Sequence, residues 1–78
     1  MVQVGEYYSC VDARGLSFVE VKRIEAGVIT VRTVGSGKYK FLPITRFDVK
    51  RGGYMLSNKR MAEEYVNKKK KEKEASHG

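Results

Sequence analysis

From Gly5 to Leu56 apolar and polar positions alternate in short runs rich in Val, Ile, Thr, Tyr and Phe, punctuated by Gly15, Gly27, Gly35, Gly37, Gly52 and Gly53. Runs of that length and composition between glycines read as β-strands joined by tight turns. The pattern predicts strands near residues 5–11, 17–24, 28–34, 38–42 and 53–56, with Pro43 to Phe47 as a turn or a single 3₁₀ turn before the last. No internal repeat is present.

Side chains alternate between sheet faces, so a one-residue slip in register exchanges the buried and exposed sets. If Glu25-Ala26-Gly27 and Gly35-Ser36-Gly37 each form a three-residue hairpin loop, Ile24 faces Val28 and Val34 faces Lys38. One face then carries Val19, Thr33 and Tyr39 in one row and Val21, Val31 and Phe41 in the next. The other carries Glu20, Arg32 and Lys40, with Lys22 and Thr30 alongside. Shortening either loop by one residue mixes the two classes, setting Arg32 opposite Val21 or Lys40 opposite Thr33. The three-residue loops are therefore the expectation, with Phe41 and Tyr39 in the core.

After Leu56 the period changes. Ser57 or Asn58 suits a helix N-cap, and Met61, Ala62, Tyr65 and Val66 share one helical face. The expected helix runs from about Lys59 to Lys71, its first half docked on the strands and its lysine-rich half in solvent.

Five short strands with a single-turn break before the last resemble the SH3-like barrel architecture, a group that includes Tudor-type and ribosomal or transcription-factor barrels; an OB-type barrel with fewer strands is the alternative. The resemblance spans roughly residues 4–57 and rests on strand count and spacing. The expected fold class is thus mainly β: a small five-stranded SH3-like antiparallel barrel over residues 1–57, one C-terminal α-helix over 58–71 with a basic surface, and a disordered tail over 72–78.

Seventy-eight residues allow one domain and little room for a deep active-site cleft. A mean hydropathy of −0.49, with 41% hydrophobic and 32% charged residues, fits a small globule better than a wholly disordered chain. Cys10 has no partner for an intramolecular disulfide, and His77 has no second imidazole for zinc. No stretch reaches the roughly 18 apolar residues of a membrane span, and the N-terminus has no signal-peptide pattern. These features set the expectation of an intracellular protein, cytoplasmic or in a nucleoid or nucleus, with no membrane, cofactor, metal or small-molecule substrate.

Charge gives the clearest functional pointer. The net charge of +7 and pI near 9.7 favour an anionic partner. The excess is +4 over residues 1–57 and +3 over 58–78, so the run Lys68, Lys69, Lys70, Lys71 carries only part of it, diluted by Glu72 and Glu74. Lys59 and Arg60 stand in the first helical turn, where cations oppose the helix dipole. Together with Lys50 and Arg51 they flank the short last strand, and Lys22, Arg32, Lys38 and Lys40 form a second candidate surface. These twelve residues are the nucleic-acid-binding candidates. Tyr7, Tyr8 and Tyr54 are candidates for base stacking or for a partner groove.

No catalytic residue is assigned. Cys10 reads as a small buried hydrophobe, and Gly35-Ser36-Gly37-Lys38 lacks the spacing of a phosphate-gripping P-loop and reads as a hairpin turn. The expected function is non-enzymatic binding of DNA or RNA through phosphates with low sequence specificity. The alternative is an interaction module that binds an acidic or extended segment of a transcription, translation or chromatin machine through an aromatic groove or strand edge.

Overall fold

The computed structural model describes residues 2–47 and 53–75. Five antiparallel strands, β1 (Tyr7–Asp12), β2 (Gly15–Glu25), β3 (Val28–Thr33), β4 (Tyr39–Pro43) and β5 (Met55–Ser57), form one sheet in the order β4-β3-β2-β1-β5. A single 3₁₀ turn, Ile44–Phe47, follows β4, and helix α1 (Lys59–Ala75) follows β5. The expected mainly β fold with one C-terminal helix is present, but the sheet is open, with β4 and β5 as its edges.

The inner face holds the core. Val19, Val21, Ile29 and Val31 from the two central strands are essentially solvent-free, and Tyr8 packs beside them from β1. The 3₁₀ turn brings Phe47 over this face, where its ring meets Tyr8 edge-on at 5.0 Å and Tyr54 at 5.2 Å. The Tyr54 N–H donates to the Arg46 carbonyl at 2.8 Å and fixes that return. Tyr8 donates its hydroxyl to Glu6 at 3.1 Å; burial, then that bond and the Glu6 charge, push its phenol up to about 12.

Both hairpin loops differ from the expected three residues. Between β2 and β3 the turn is Ala26-Gly27, with Glu25 opposite Val28 and Ile24 opposite Ile29. Ala26 and Gly27 both take positive φ, 50° and 75°, as a two-residue hairpin turn of the I′ kind requires. A register shift between Val21 and Arg23 absorbs the difference, so Val19 still faces Thr33 and Val21 still faces Val31. That bulge preserves the central core although the turn is shorter.

Nothing absorbs the second difference. The β3–β4 loop is the four residues Val34 to Gly37, closed by the Thr33 N–H on the Lys38 carbonyl at 2.7 Å and the Gly37 N–H on the Thr33 carbonyl at 2.9 Å. Arg32 therefore faces Tyr39, Val31 faces Lys40 and Ile29 faces Leu42. The whole of β4 is inverted relative to the expectation. Tyr39 and Phe41 stand on the outer face, 58% and 74% exposed, while Lys40 and Leu42 take the inner one.

Helix α1 packs on the outer face over the β1–β2 end. Ala62 is fully buried, and the Tyr65 ring lies 5.4 Å from Phe18, itself buried beneath the helix. Val66 rests on Gly35, where a Cβ would stand 3.4 Å from its Cγ2. Met61, expected on the same apolar stripe, is exposed. The helix continues to Ala75, past the expected end near Lys71, because Lys, Glu and Ala are all strong helix formers.

Asn58 is the N-cap: its Oδ1 accepts from the Met61 N–H at 2.9 Å. Asn58→Ala is expected to cost about 1 kcal/mol. It should lower Tm by roughly 4–8 °C in a thermal melt, while Asn58→Asp retains most of the stability.

Candidate functional site

The apolar alternation of β2 stops at Ser17, the inward position before Val19 and Val21. Thr33 does the same on β3, and Lys40 on β4. At this end of the sheet the inner face is polar. An open cleft of ≈ 520 Å³ lies there, lined by Asp12, Arg14 and Ser17 on the β1–β2 hairpin and by Thr33, Ser36, Lys38 and Lys40 around the β3–β4 loop.

Geometry fixes both walls. The Arg14 N–H donates to Asp12 Oδ1 at 2.8 Å, an Asx-type turn that sets the hairpin tip. Ser36 Oγ accepts from the Lys38 N–H at 3.4 Å on the opposite side. Thr33 Oγ1 is buried and has no hydrogen-bond partner among the described residues. Burial, with the nearby Cys10 and Asp12 adding, pushes the phenol of the core residue Tyr54 up despite Arg46.

Three cations, Arg14, Lys38 and Lys40, meet one carboxylate, Asp12, across this cleft. Among the described residues no ion pair engages any of the three. The same loop carries further charge on its other side, where Val34 and Gly35 form a shallow groove with Tyr65, Val66, Lys69 and Lys70. Lys69 Nζ sits 5.7 Å from the centre of the Tyr65 ring, a cation–π placement that holds it near the loop. Folding thus brings part of the helix lysine run beside the cations of the sheet.

The other charged candidates are differently placed. Lys22 and Arg32 both bond to Glu20, each at 3.2 Å. Arg32 and Lys40 are not cross-strand neighbours, a correction that follows from the inverted β4, and no like-charge clash arises between them. Lys59 and Arg60 are compensated within the helix by Glu63 at 3.8 Å and Glu64 at 3.1 Å. Lys50 and Arg51 lie outside the described residues, and Lys68 and Lys71 are exposed on the helix.

Of the aromatic candidates, Tyr8 and Tyr54 are core residues and Tyr7 is half-buried on the outer face. The exposed rings are Tyr39 and Phe41. Arg14, Ser17, Thr33 and Ser36 were not among the candidates. The usable signals were the Asp12-to-Gly15 turn and the polar residue at the inward position before Val19.

Glu20 has a titration consequence. Burial raises its carboxyl, but the hydrogen bonds and charges of Arg32 and Lys22 outweigh burial and hold it below the usual carboxylate value. A depressed folded value stabilises the fold above the unfolded pKa, and that contribution is lost as pH falls through the folded value. The Tm gap between wild type and Glu20→Gln should be widest near neutral pH and close as pH falls below the ordinary glutamate range and through the lowered folded value, as scanning calorimetry across pH can show.

Comparison with known proteins finds no family, no curated sequence and no solved structure that matches this chain. Among the described residues there is no group of three metal-ligating side chains, and no helix is long and apolar enough to cross a membrane.

Proposed function

We propose that this chain is a non-enzymatic nucleic-acid-binding module that holds DNA or RNA through phosphates with little sequence specificity. One observation carries the reading: Arg14, Lys38 and Lys40 converge on an open, hydroxyl-lined cleft without an ion-pair partner among the described residues, with Lys69 and Lys70 flanking the same loop. Cations left unpaired and adjacent suit a polyanion, because each phosphate neutralised releases condensed counterions. Ser17, Thr33 and Ser36 add hydroxyls able to donate to phosphate oxygens.

The body is read as an SH3-like barrel on the strength of its strand meander, with β5 returning to β1 and a 3₁₀ turn before the last strand. An intracellular location follows from the proposed ligand. Affinity for a mixed-sequence oligonucleotide, measured by fluorescence anisotropy from about 20 to 300 mM salt, tests the reading: log K should fall linearly and steeply with log salt.

A second reading rests on the apolar patch beside β4, where exposed Phe41 and Val28 offer a peptide side-chain contact. An acidic peptide from a larger machine would be its ligand. Peptide capture that survives high salt would favour it over the first.

A further inference from the structure

We infer that the edge strand β4 selects single-stranded nucleic acid, stacking unpaired bases on Tyr39 and Phe41 while the cleft cations hold the backbone; this rests on the nucleic-acid reading above. The inverted register carries the inference. Along β4 cations and rings alternate, with Lys38 and Lys40 turned to the cleft and Tyr39 and Phe41 turned to the outer face of the same edge. A strand crossing that edge meets positive charge on one side and π-faces on the other, the combination used by single-strand binders.

The rings are available for stacking. Helix α1 covers Phe18 and touches the β3–β4 loop at Gly35, yet Tyr39 and Phe41 on β4 itself stay exposed. Neither Tyr39 nor Phe41 has an aromatic or cation–π partner among the described residues. Two residues apart on one strand face, their Cα atoms are separated by roughly 6.8 Å, which gives each ring room for its own base. A duplex offers no such faces, because its bases are already stacked on one another.

The occupant is also indicated by what the edge resists. Lysine side chains and a proline, which lacks an N–H, are the devices that discourage a further strand from pairing with a sheet edge. Here Lys38, Lys40 and Pro43 all lie on or beside β4. A ligand engaged through side chains fits this edge better than a peptide strand or a second copy of the chain.

The test compares a twelve-nucleotide oligo(dT) with a duplex of equal length, by anisotropy at about 50 mM salt. Wild type should bind the single strand more tightly. The double variant Tyr39→Ala/Phe41→Ala should lose at least ten-fold on the single strand, since each stacked base is worth about 5- to 150-fold, and should bind duplex as before. Tyr39→Trp introduces the only tryptophan of the chain, so oligo(dT) should quench its emission directly. Equal losses on both ligands, no loss on either, or no quenching overturns the inference and leaves the nucleic-acid reading standing. Failure of wild type to bind either ligand removes both. A concentration-dependent dimer in gel filtration that Phe41→Ala abolishes would assign the patch to self-association and also overturn it.

Discussion

Ile29→Ala is expected to lower stability by 2–5 kcal/mol, and Phe41→Ala by less than about 1 kcal/mol, in urea or thermal unfolding. Ile29 is wholly buried at the centre of the inner face, opposite Ile24 on one side and Leu42 on the other. Truncating it removes apolar transfer energy and leaves a cavity that a close-packed core fills only in part. For a domain of this size the loss equals a Tm decrease of roughly 8–40 °C. It is a large share of the whole, because stability amounts to only about 0.05–0.15 kcal/mol per residue. Phe41, at 74% exposure, touches little that its removal would disturb. The two variants together test the β3–β4 register. A three-residue loop would bury Phe41 and raise the cost of Phe41→Ala to about 3–5 kcal/mol, comparable to that of Ile29→Ala.

The second large effect concerns binding. Arg14→Ala/Lys38→Ala/Lys40→Ala should lower affinity for an oligonucleotide by about 10²-fold at 0.1 M salt. Each phosphate contact contributes roughly 0.7 to 0.9 to the salt slope, which amounts to about 1 kcal/mol at that salt. Three contacts thus account for about 2 to 3 units of slope. Lys22→Ala is the matched control, since Lys22 is bonded to Glu20 and faces away from the cleft. It should leave the slope nearly unchanged. The variant is expected to fold, because Arg14, Lys38 and Lys40 are exposed and make no ion pair among the described residues.

Much of the fold is legible in the residues. Val19, Val21 and Val31 alternate with polar neighbours, and their pairing holds as the pattern requires. The helix and its docked first half follow from Asn58, Ala62, Tyr65 and Val66. The hairpin turns are less legible, because loop length is set by backbone conformation at one or two positions. Ala26 in a left-handed conformation shortens the first turn, and a bulge near Lys22 conceals the change. Gly35 and Gly37, both at positive φ, permit either loop length in the second. Placing Tyr39 and Phe41 inward gave the better sorting of polar from apolar, since burial of an aromatic ring is the largest apolar gain available. What outweighs that gain lies elsewhere in the chain, where Phe47 and Tyr54 return over the inner face and fill the core from outside the sheet.

The candidate site was legible only in part for the same reason. Lys38 and Lys40 were identifiable as surface cations, but their convergence with Arg14 depends on the inverted strand. Charges that looked conspicuous in sequence are neutralised by neighbours: Arg32 and Lys22 by Glu20, Lys59 by Glu63 and Arg60 by Glu64. Arg14, Lys38, Lys40, Lys69 and Lys70, none of them in an ion pair among the described residues, gather around the β3–β4 loop.

The most direct measurement is therefore the salt dependence of oligonucleotide affinity for the wild type and for Arg14→Ala/Lys38→Ala/Lys40→Ala, side by side. A linear log–log plot whose slope becomes shallower by about 2 to 3 units in the variant is the predicted result. Absence of binding by the wild type near 20 mM salt, or an identical slope in the two proteins, would contradict the assignment of the cleft as the phosphate-holding site.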